Sequence, residues 1–223
     1  MLDTKGPEIK TGNTSGQKDI HLEAGQTLKI VTDFAIEGDN QKIACSFKNL
    51  PTTVSVGSTI FIDDGNLTCE VQSIQDDHIV VTCLNSWKLG EQKIMNLPGA
   101  IIDLPALTES DEADLKDFGL QYQVDIVAAS FIRKASDVEY IRDKLGPKGA
   151  YIKIFSKVQN HEGLHNYEEI LAASDGIMIN RVDLGMEIAP EKVFVAQKWM
   201  LEKANLQAKQ IINSTQMIKS MCK

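Results

Sequence analysis

The sequence predicts an α/β protein, a parallel sheet flanked by helices, with a small all-β unit set into the N-terminal part of the chain. Two textures and the junction between them carry that prediction. From about Asn13 to Met95, short alternating or β-branched runs (LKIVTDF, TIFI, LTCEVQSI, HIVVTCL) are broken by turn signals at Glu37-Gly38-Asp39-Asn40, Asp63-Asp64-Gly65-Asn66 and Gln75-Asp76-Asp77. Such spacing suits a small barrel or sandwich. Beyond Asn96-Leu97-Pro98-Gly99, buried strands alternate with amphipathic helices.

Taken in order, the predicted strands are 125–131 (DIVAASF), 151–158 (YIKIFSKV), 176–180 (GIMIN) and 210–214 (QIINS). The predicted helices are 109–119, 135–145, 167–174 and 190–205. Thr108-Glu109-Ser110-Asp111 reads as a helix start and Gly146-Pro147 as a stop. Alternation of this kind requires crossover connections and parallel strands, as in a barrel or a doubly wound fold. Chemistry in such folds collects at the C-terminal ends of the strands. Those ends carry Ser130-Phe131-Ile132-Arg133-Lys134, then Lys157 to Gly163, then Asn180 to Gly185, then Ser214-Thr215-Gln216. A lysine, an aspartate, an arginine and a threonine are therefore expected on one rim.

Composition narrows the function classes. A net charge of −8 over 223 residues, with no basic cluster, argues against nucleic acid as the main partner. No apolar run approaches the roughly 18–20 residues that span a bilayer, and no secretory signal pattern opens the chain. Cys45, Cys69, Cys83 and Cys222 show no CxxC spacing, so reduced thiols in the cytoplasm are expected.

One short motif competes for attention. His161-Glu162-Gly163-Leu164-His165 fits H-E-x-x-H, which binds zinc when both histidines share one helical face. Here Gly163 separates them and the segment directly follows a strand, so it reads as a loop entering a helix. No third ligand is apparent, since His21 and His78 lie in the β-rich part. A polar loop with surface histidines is the expectation, with His161 and Glu162 at most supporting another site.

Several ordered blocks decide the resemblance. MLDTKGPEIKTG, NLPG with DLPALTE, DIVAASFIRKASDV, KVQNHEG, ASDGIMINRVDLGMEI, PEKVFVAQK and STQMIKSM together resemble pyruvate kinase, from residue 1 to about residue 221. The resemblance implies a partial (β/α)8 TIM barrel, about strands 3–7, as residues 1–12 and 97–223, with a small β-barrel lid inserted as residues 13–96. It implies a glycolytic phosphotransferase that converts phosphoenolpyruvate and ADP to pyruvate and ATP in the cytoplasm. It also implies Mg2+ or Mn2+ and K+ as cofactors, a homo-oligomer (a tetramer in the family), and neither nucleic acid nor membrane as partner. Such chemistry works by positioning and charge neutralisation.

Position by position, Lys157 resembles the lysine that compensates charge on the phosphoryl group, and Thr215 the threonine near the enolate face of the substrate. Asp183 resembles a Mg2+ carboxylate, and Asp3 and Thr4 resemble oxygen donors to K+. Glu8 matches a site-wall position. Lys10 stands where the family has a nucleotide-contacting arginine, losing the planar fork, and Lys93 matches a lid lysine that covers the site on closure.

The pattern breaks in three places. Gln159 replaces the glutamate that partners Asp183 on Mg2+, a weakened ligand: one unit-charge pair near 4 Å contributes about 4 kcal/mol at an effective dielectric of ~20. Val182 replaces a substrate-facing glycine whose N–H serves a helix-start anion site; a positive φ there would suit valine poorly. Ile94 replaces another glycine beside Lys93. The third break is length: roughly 140 residues lie outside the insert, against roughly 200–250 for a closed barrel, and two sheet edges are expected to stand open. An impaired enzyme is the first reading. A catalytically inactive paralogue that binds a ligand or partner subunit is the alternative, and a zinc hydrolase comes third.

Overall fold

The computed structural model describes residues 1–215 and 221; residues 216–220 of the last motif, and Cys222, lie outside the described residues. Contacts divide the chain into two units, Met1–Pro7 with Asp103–Lys223, and Glu8–Ile102. The second unit begins before the change of texture because Lys10 and Thr11 are already bridged to Ile94 and Cys45 within it.

In chain order, β1 (Leu2–Asp3) belongs to the first unit. The second unit holds β2 (Ile20–Leu22), β3 (Thr27–Val31), β4 (Lys42–Ala44), helix α1 (Leu50–Thr53), β5 (Thr59–Ile62), β6 (Leu67–Ile74), β7 (His78–Cys83), β8 (Trp87–Leu89) and β9 (Met95–Asn96). The first unit resumes with α2 (Glu109–Ala113), β10 (Ile126–Ala129), α3 (Ala135–Leu145), β11 (Lys153–Val158), α4 (His161–His165) and α5 (Tyr167–Ala173). It continues with β12 (Gly176–Asn180), α6 (Arg181–Glu187), α7 (Pro190–Leu206) and β13 (Gln210–Ser214).

In the first unit, β1, β10, β11, β12 and β13 form one five-stranded sheet in that order, parallel throughout. The period of two decides what each face does. Val127, Ala129, Ile154, Val158, Ile177 and Ile179 join a buried cluster with Val138, Ile141, Ile170, Leu171 and Met200 from the helices. The alternate positions, Ala128, Phe155, Lys157 and Met178, therefore face the other way, and polar residues on that side crowd towards the strand ends.

The predicted helix at 109–119 changes type midway. Thr108 caps α2 reciprocally with Asp111, and the backbone then runs as a π-helix over Asp114–Leu120. Buried Asp111 also accepts N–H bonds from Lys5 at 2.9 Å and Gly6 at 3.3 Å, which fixes the chain just after β1. At the opposite end of the sheet, Asp175 accepts from the Ile154 N–H and Arg142, each at 2.9 Å. Burial pushes the Asp175 carboxyl up, but these donors together hold it below the usual carboxylate range.

HEGLH differs from its expectation: it is helical, with Asn160 accepting from the Gly163 N–H at 2.8 Å as its cap. Its glycine has a packing reason, because a Cβ there would meet the Ile132 carbonyl oxygen at 2.6 Å. The short α4 thus lies close against the loop after β10. Among the described residues no group of three or more His, Cys, Asp and Glu is placed to hold a metal ion.

The second unit is mostly antiparallel, a six-stranded sheet ordered β4-β3-β7-β6-β5-β9 and a two-stranded sheet β2-β8, with β3 and β4 parallel. Cys45, Cys69 and Cys83 are free and buried in it. Burial raises the Cys45 thiol to about 11, well away from reactivity. No helix among the described residues is long and apolar enough to cross a membrane.

Two outcomes are expected of this unit-by-unit architecture. Gly163→Ala should cost about 1–3 kcal/mol in urea denaturation, because the Ile132 carbonyl cannot yield without moving its loop. Asp175, held low, contributes stability that is present above the unfolded carboxylate range and lost as pH falls through its folded value. Thermal melts of Asp175→Asn should therefore lose less stability than the wild type between about pH 5 and pH 2.

Candidate active site

The predicted rim exists as a continuous run of contacts across the C-terminal ends of the five strands. Lys157, on β11, reaches past β10 to Asp3 on β1, placing Nζ 2.9 Å from Oδ1 and 3.2 Å from Oδ2. That span is two strand spacings, about 10 Å; Asp3 pairs in register with Ala128 and Ala128 with Phe155, two residues before the lysine, so the side chain crosses β10 diagonally. The lysine side chain is only 11% exposed and the Asp3 side chain 59%. Ser130 then ties β10 to β1: its hydroxyl donates to the Thr4 carbonyl at 2.6 Å and its N–H to Thr4 Oγ1 at 3.0 Å.

Phe131 follows in a left-handed conformation, φ 56°. A bulky residue there costs roughly 1–3 kcal/mol and persists only where its surroundings fix it. Here its N–H donates to Gln159 Oε1 at 2.7 Å. The same amide donates from Nε2 to Asp183 Oδ2 at 2.5 Å, and Asn180 Nδ2 donates to that oxygen at the same distance. Gln159 is 3% exposed. At the far end Arg181 donates to the Ser214 and Thr215 carbonyls, each at 3.2 Å, so β13 joins the rim.

The expected residues Asp3, Thr4, Lys157, Gln159, Asp183 and Thr215 are thus joined through Ser130, Phe131, Asn180 and Arg181, with Val182 between Arg181 and Asp183 in the chain. At Val182 the condition that would strain a valine is not met. Its backbone lies in the first turn of α6 and its φ is not positive, so valine carries no backbone strain there, and its side chain is 43% exposed. Asn180 was missed by sequence reasoning. The signal was available: an asparagine at a helix N-cap three residues before an aspartate is a capping pattern. The structure uses it differently, with the asparagine side chain donating to the carboxylate and not capping a backbone N–H.

Lys10, Lys93 and Glu8 belong to the second unit. Lys10 pairs with Glu8 at 2.8 Å. Lys93 pairs with Asp63 at 3.0 Å, and Asp63 also accepts from Trp87 Nε1 at 2.9 Å. Thr11 donates its N–H to the Lys93 carbonyl, and Lys10 bridges Ile94, so both lysines sit on paired segments. The Asp63-Asp64-Gly65 turn is consequently both a hairpin turn and the anchor of Lys93.

Comparison with known proteins gives the rim its context. The family model described as pyruvate kinase, barrel domain, matches residues 1–223. The chain belongs to the pyruvate kinase family. The pyruvate kinase of Eimeria tenella is 51% identical over 223 residues, all of this chain and 42% of that protein. The cytosolic isozyme of Glycine max is 47% identical over 225 residues, again all of this chain and 44% of its own length. The crystal structure of a pyruvate kinase from Cryptosporidium parvum superimposes with a TM-score of 0.94 at 48% identity, covering 99% of this chain and 46% of that one. Another, of the Cryptosporidium parvum enzyme in complex with ADP, gives 0.87 at 48% identity, over 99% of this chain and 45% of that one. The chain therefore spans less than half the length of these relatives.

Pyruvate kinases imply a divalent ion, and the residues at Asp183 do not fit one. Both amides direct N–H donors at Asp183 Oδ2, where a cation would need oxygen acceptors from its neighbours. Turning Gln159 to offer its carbonyl would set its NH2 against the Phe131 N–H, donor against donor. At Asp3 and Thr4 the oxygens are likewise engaged, the carboxylate by Lys157 and the Thr4 carbonyl and hydroxyl by Ser130, though the Asp3 side chain keeps most of its exposure.

The Gln159 contact with Phe131 has a measurable consequence. Gln159→Ala should destabilise the protein by about 1–3 kcal/mol in equilibrium unfolding, the cost of an unsatisfied buried N–H. Lys157→Ala should change stability by no more than about 1 kcal/mol, because Asp3 stays hydrated without its partner.

Proposed function

We propose that this chain carries the phosphoryl-transfer centre of a pyruvate kinase, acting between phosphoenolpyruvate and ADP to give pyruvate and ATP, and that the centre is impaired. In this reading the parallel sheet is an arc, about strands 3–7, of a (β/α)8 barrel, and the β-rich unit is a lid inserted after the third strand. The observation that carries the proposal is Lys157: a nearly buried ammonium held at the strand ends by Asp3. A cation held in a partly dehydrated site stabilises the charge that develops on a transferring phosphoryl group. Removing a single group of that kind lowers turnover by about 100- to 1,000-fold.

The other assignments follow the same reading. Thr215 faces the enolate, and Asp183 with the Val182 backbone lines the substrate pocket. Asp3 and Thr4 hold K+, whose charge supports binding of the anionic substrate. Lys10 and Lys93 contact the nucleotide beside Glu8, and the relative solved with ADP supports a nucleotide ligand. Both lysines must then exchange their carboxylate partners for phosphate. A divalent ion, Mg2+ or Mn2+, supplies charge neutralisation in this chemistry, and the amides around Asp183 are the reason for expecting impairment. The relatives named as cytosolic isozymes support a cytosolic setting, and a homotetramer is the expected assembly.

The same amides favour a second reading, a catalytically inactive paralogue acting as a binding or subunit partner. A lactate-dehydrogenase-coupled assay of pyruvate formation by the whole protein, with Mg2+ and K+ present, separates the two. Impairment predicts slow turnover that Gln159→Glu raises at least tenfold and Lys157→Ala abolishes. Wild-type turnover equal to that of Gln159→Glu would remove the impairment, and indifference to Lys157→Ala would remove the role of that lysine. Absence of turnover in both the wild type and Gln159→Glu would establish the inactive paralogue.

A further inference from the structure

Asp183 is a carboxylate supplied with hydrogen-bond donors from two directions. The Gln159 amide arrives from the end of β11 and the Asn180 amide from the end of β12, both at Oδ2. Neither amide can be reversed at no cost. Gln159 is fixed by the Phe131 N–H, which requires an acceptor. Reversing Asn180 would set its Oδ1 against the carboxylate oxygen, and that Oδ1 is buried without a hydrogen-bond partner as it stands. The orientation of both side chains is thus dictated by the network.

We propose that Gln159 and Asn180 take the place of a cation at Asp183, forming a built-in amide clasp that holds the ends of β10, β11 and β12 together without a divalent ion. An ion between two carboxylates does two jobs: it cancels their repulsion and it ties their elements together. The clasp does the second job directly and makes the first unnecessary between these two positions, because Gln159 carries no charge. Gln159 also holds Phe131 in its left-handed conformation, so the clasp reaches β10 as well. Gln159 and Asn180 are positioning residues here. The inference stands on hydrogen bonds alone and does not require that the protein catalyse anything.

The clasp separates metal response from activity. Melting temperatures of the whole protein are compared in EDTA and in millimolar MnCl2, for the wild type, Gln159→Glu, Asn180→Ala and Asp183→Asn. The wild type should show the same response to Mn2+ as Asp183→Asn, since no ion is held at this carboxylate. Gln159→Glu places two carboxylates side by side; it should melt at least about 3 °C lower than the wild type in EDTA and recover in Mn2+. Asn180→Ala should melt lower in both buffers and gain no additional Mn2+ response. A Mn2+ shift in the wild type exceeding that of Asp183→Asn would overturn the proposal. So would a Gln159→Glu protein as stable as the wild type in EDTA. Should Gln159→Glu not fold, depletion of the free Mn2+ electron paramagnetic resonance signal decides on the remaining proteins: equal depletion by the wild type and Asp183→Asn supports the clasp, and greater depletion by the wild type refutes it.

Discussion

The hydrogen bond from the Gln159 amide to Asp183 is the constraint on which the rest of the rim depends. It joins the loop after β11 to the first turn of α6, and its other end captures the Phe131 N–H. Without it, Asp183 would lose one of its two amide donors and Phe131 the partner that holds its left-handed backbone. Buried amides of this kind stabilise modestly when paired and cost considerably when one partner is lost. The geometry therefore protects the pair as a unit.

Lys157 and Asp3 form the complementary half of the rim. Their attraction adds little to stability, because Asp3 is largely hydrated. Its value is positional. The lysine reaches across β10 to a carboxylate that the Ser130 hydroxyl also contacts, and Asp111 fixes the chain just after β1. The rim thus has two distinct parts: amides at the ends of β11 and β12, and an ammonium reaching to β1.

Much of this was legible in the sequence, and particular residues show why. The strand GIMIN carries an apolar run behind the turn signal Ser174-Asp175, QIINS a pair of β-branched isoleucines after a helix, and the structure places them at Gly176–Asn180 and Gln210–Ser214. Ala135–Leu145 stops at Gly146 because that glycine adopts φ 58°. The five-residue α4 was read as a loop, since neither its length nor its central glycine signals a helix, and its cap on Asn160 and packing against Ile132 are tertiary facts. The two-residue β1 is too short to show a period. In the site, residue types and order pointed to Lys157, Gln159 and Asp183. The direction of the Gln159 amide could not be read, because it is set by the Phe131 N–H, a partner 28 residues away. Asn180 drew no separate expectation, because its bond to Asp183 depends on where α6 begins.

The account places one negative charge and two amides where relatives of this family are expected to hold a divalent ion. A crystal of the protein soaked in MnCl2 and measured at the manganese absorption edge tests that most directly. The account predicts no anomalous peak within coordinating distance of Asp183, with the Gln159 nitrogen still against the carboxylate. A manganese peak bound by Asp183, with the Gln159 carbonyl turned onto the ion, would contradict it.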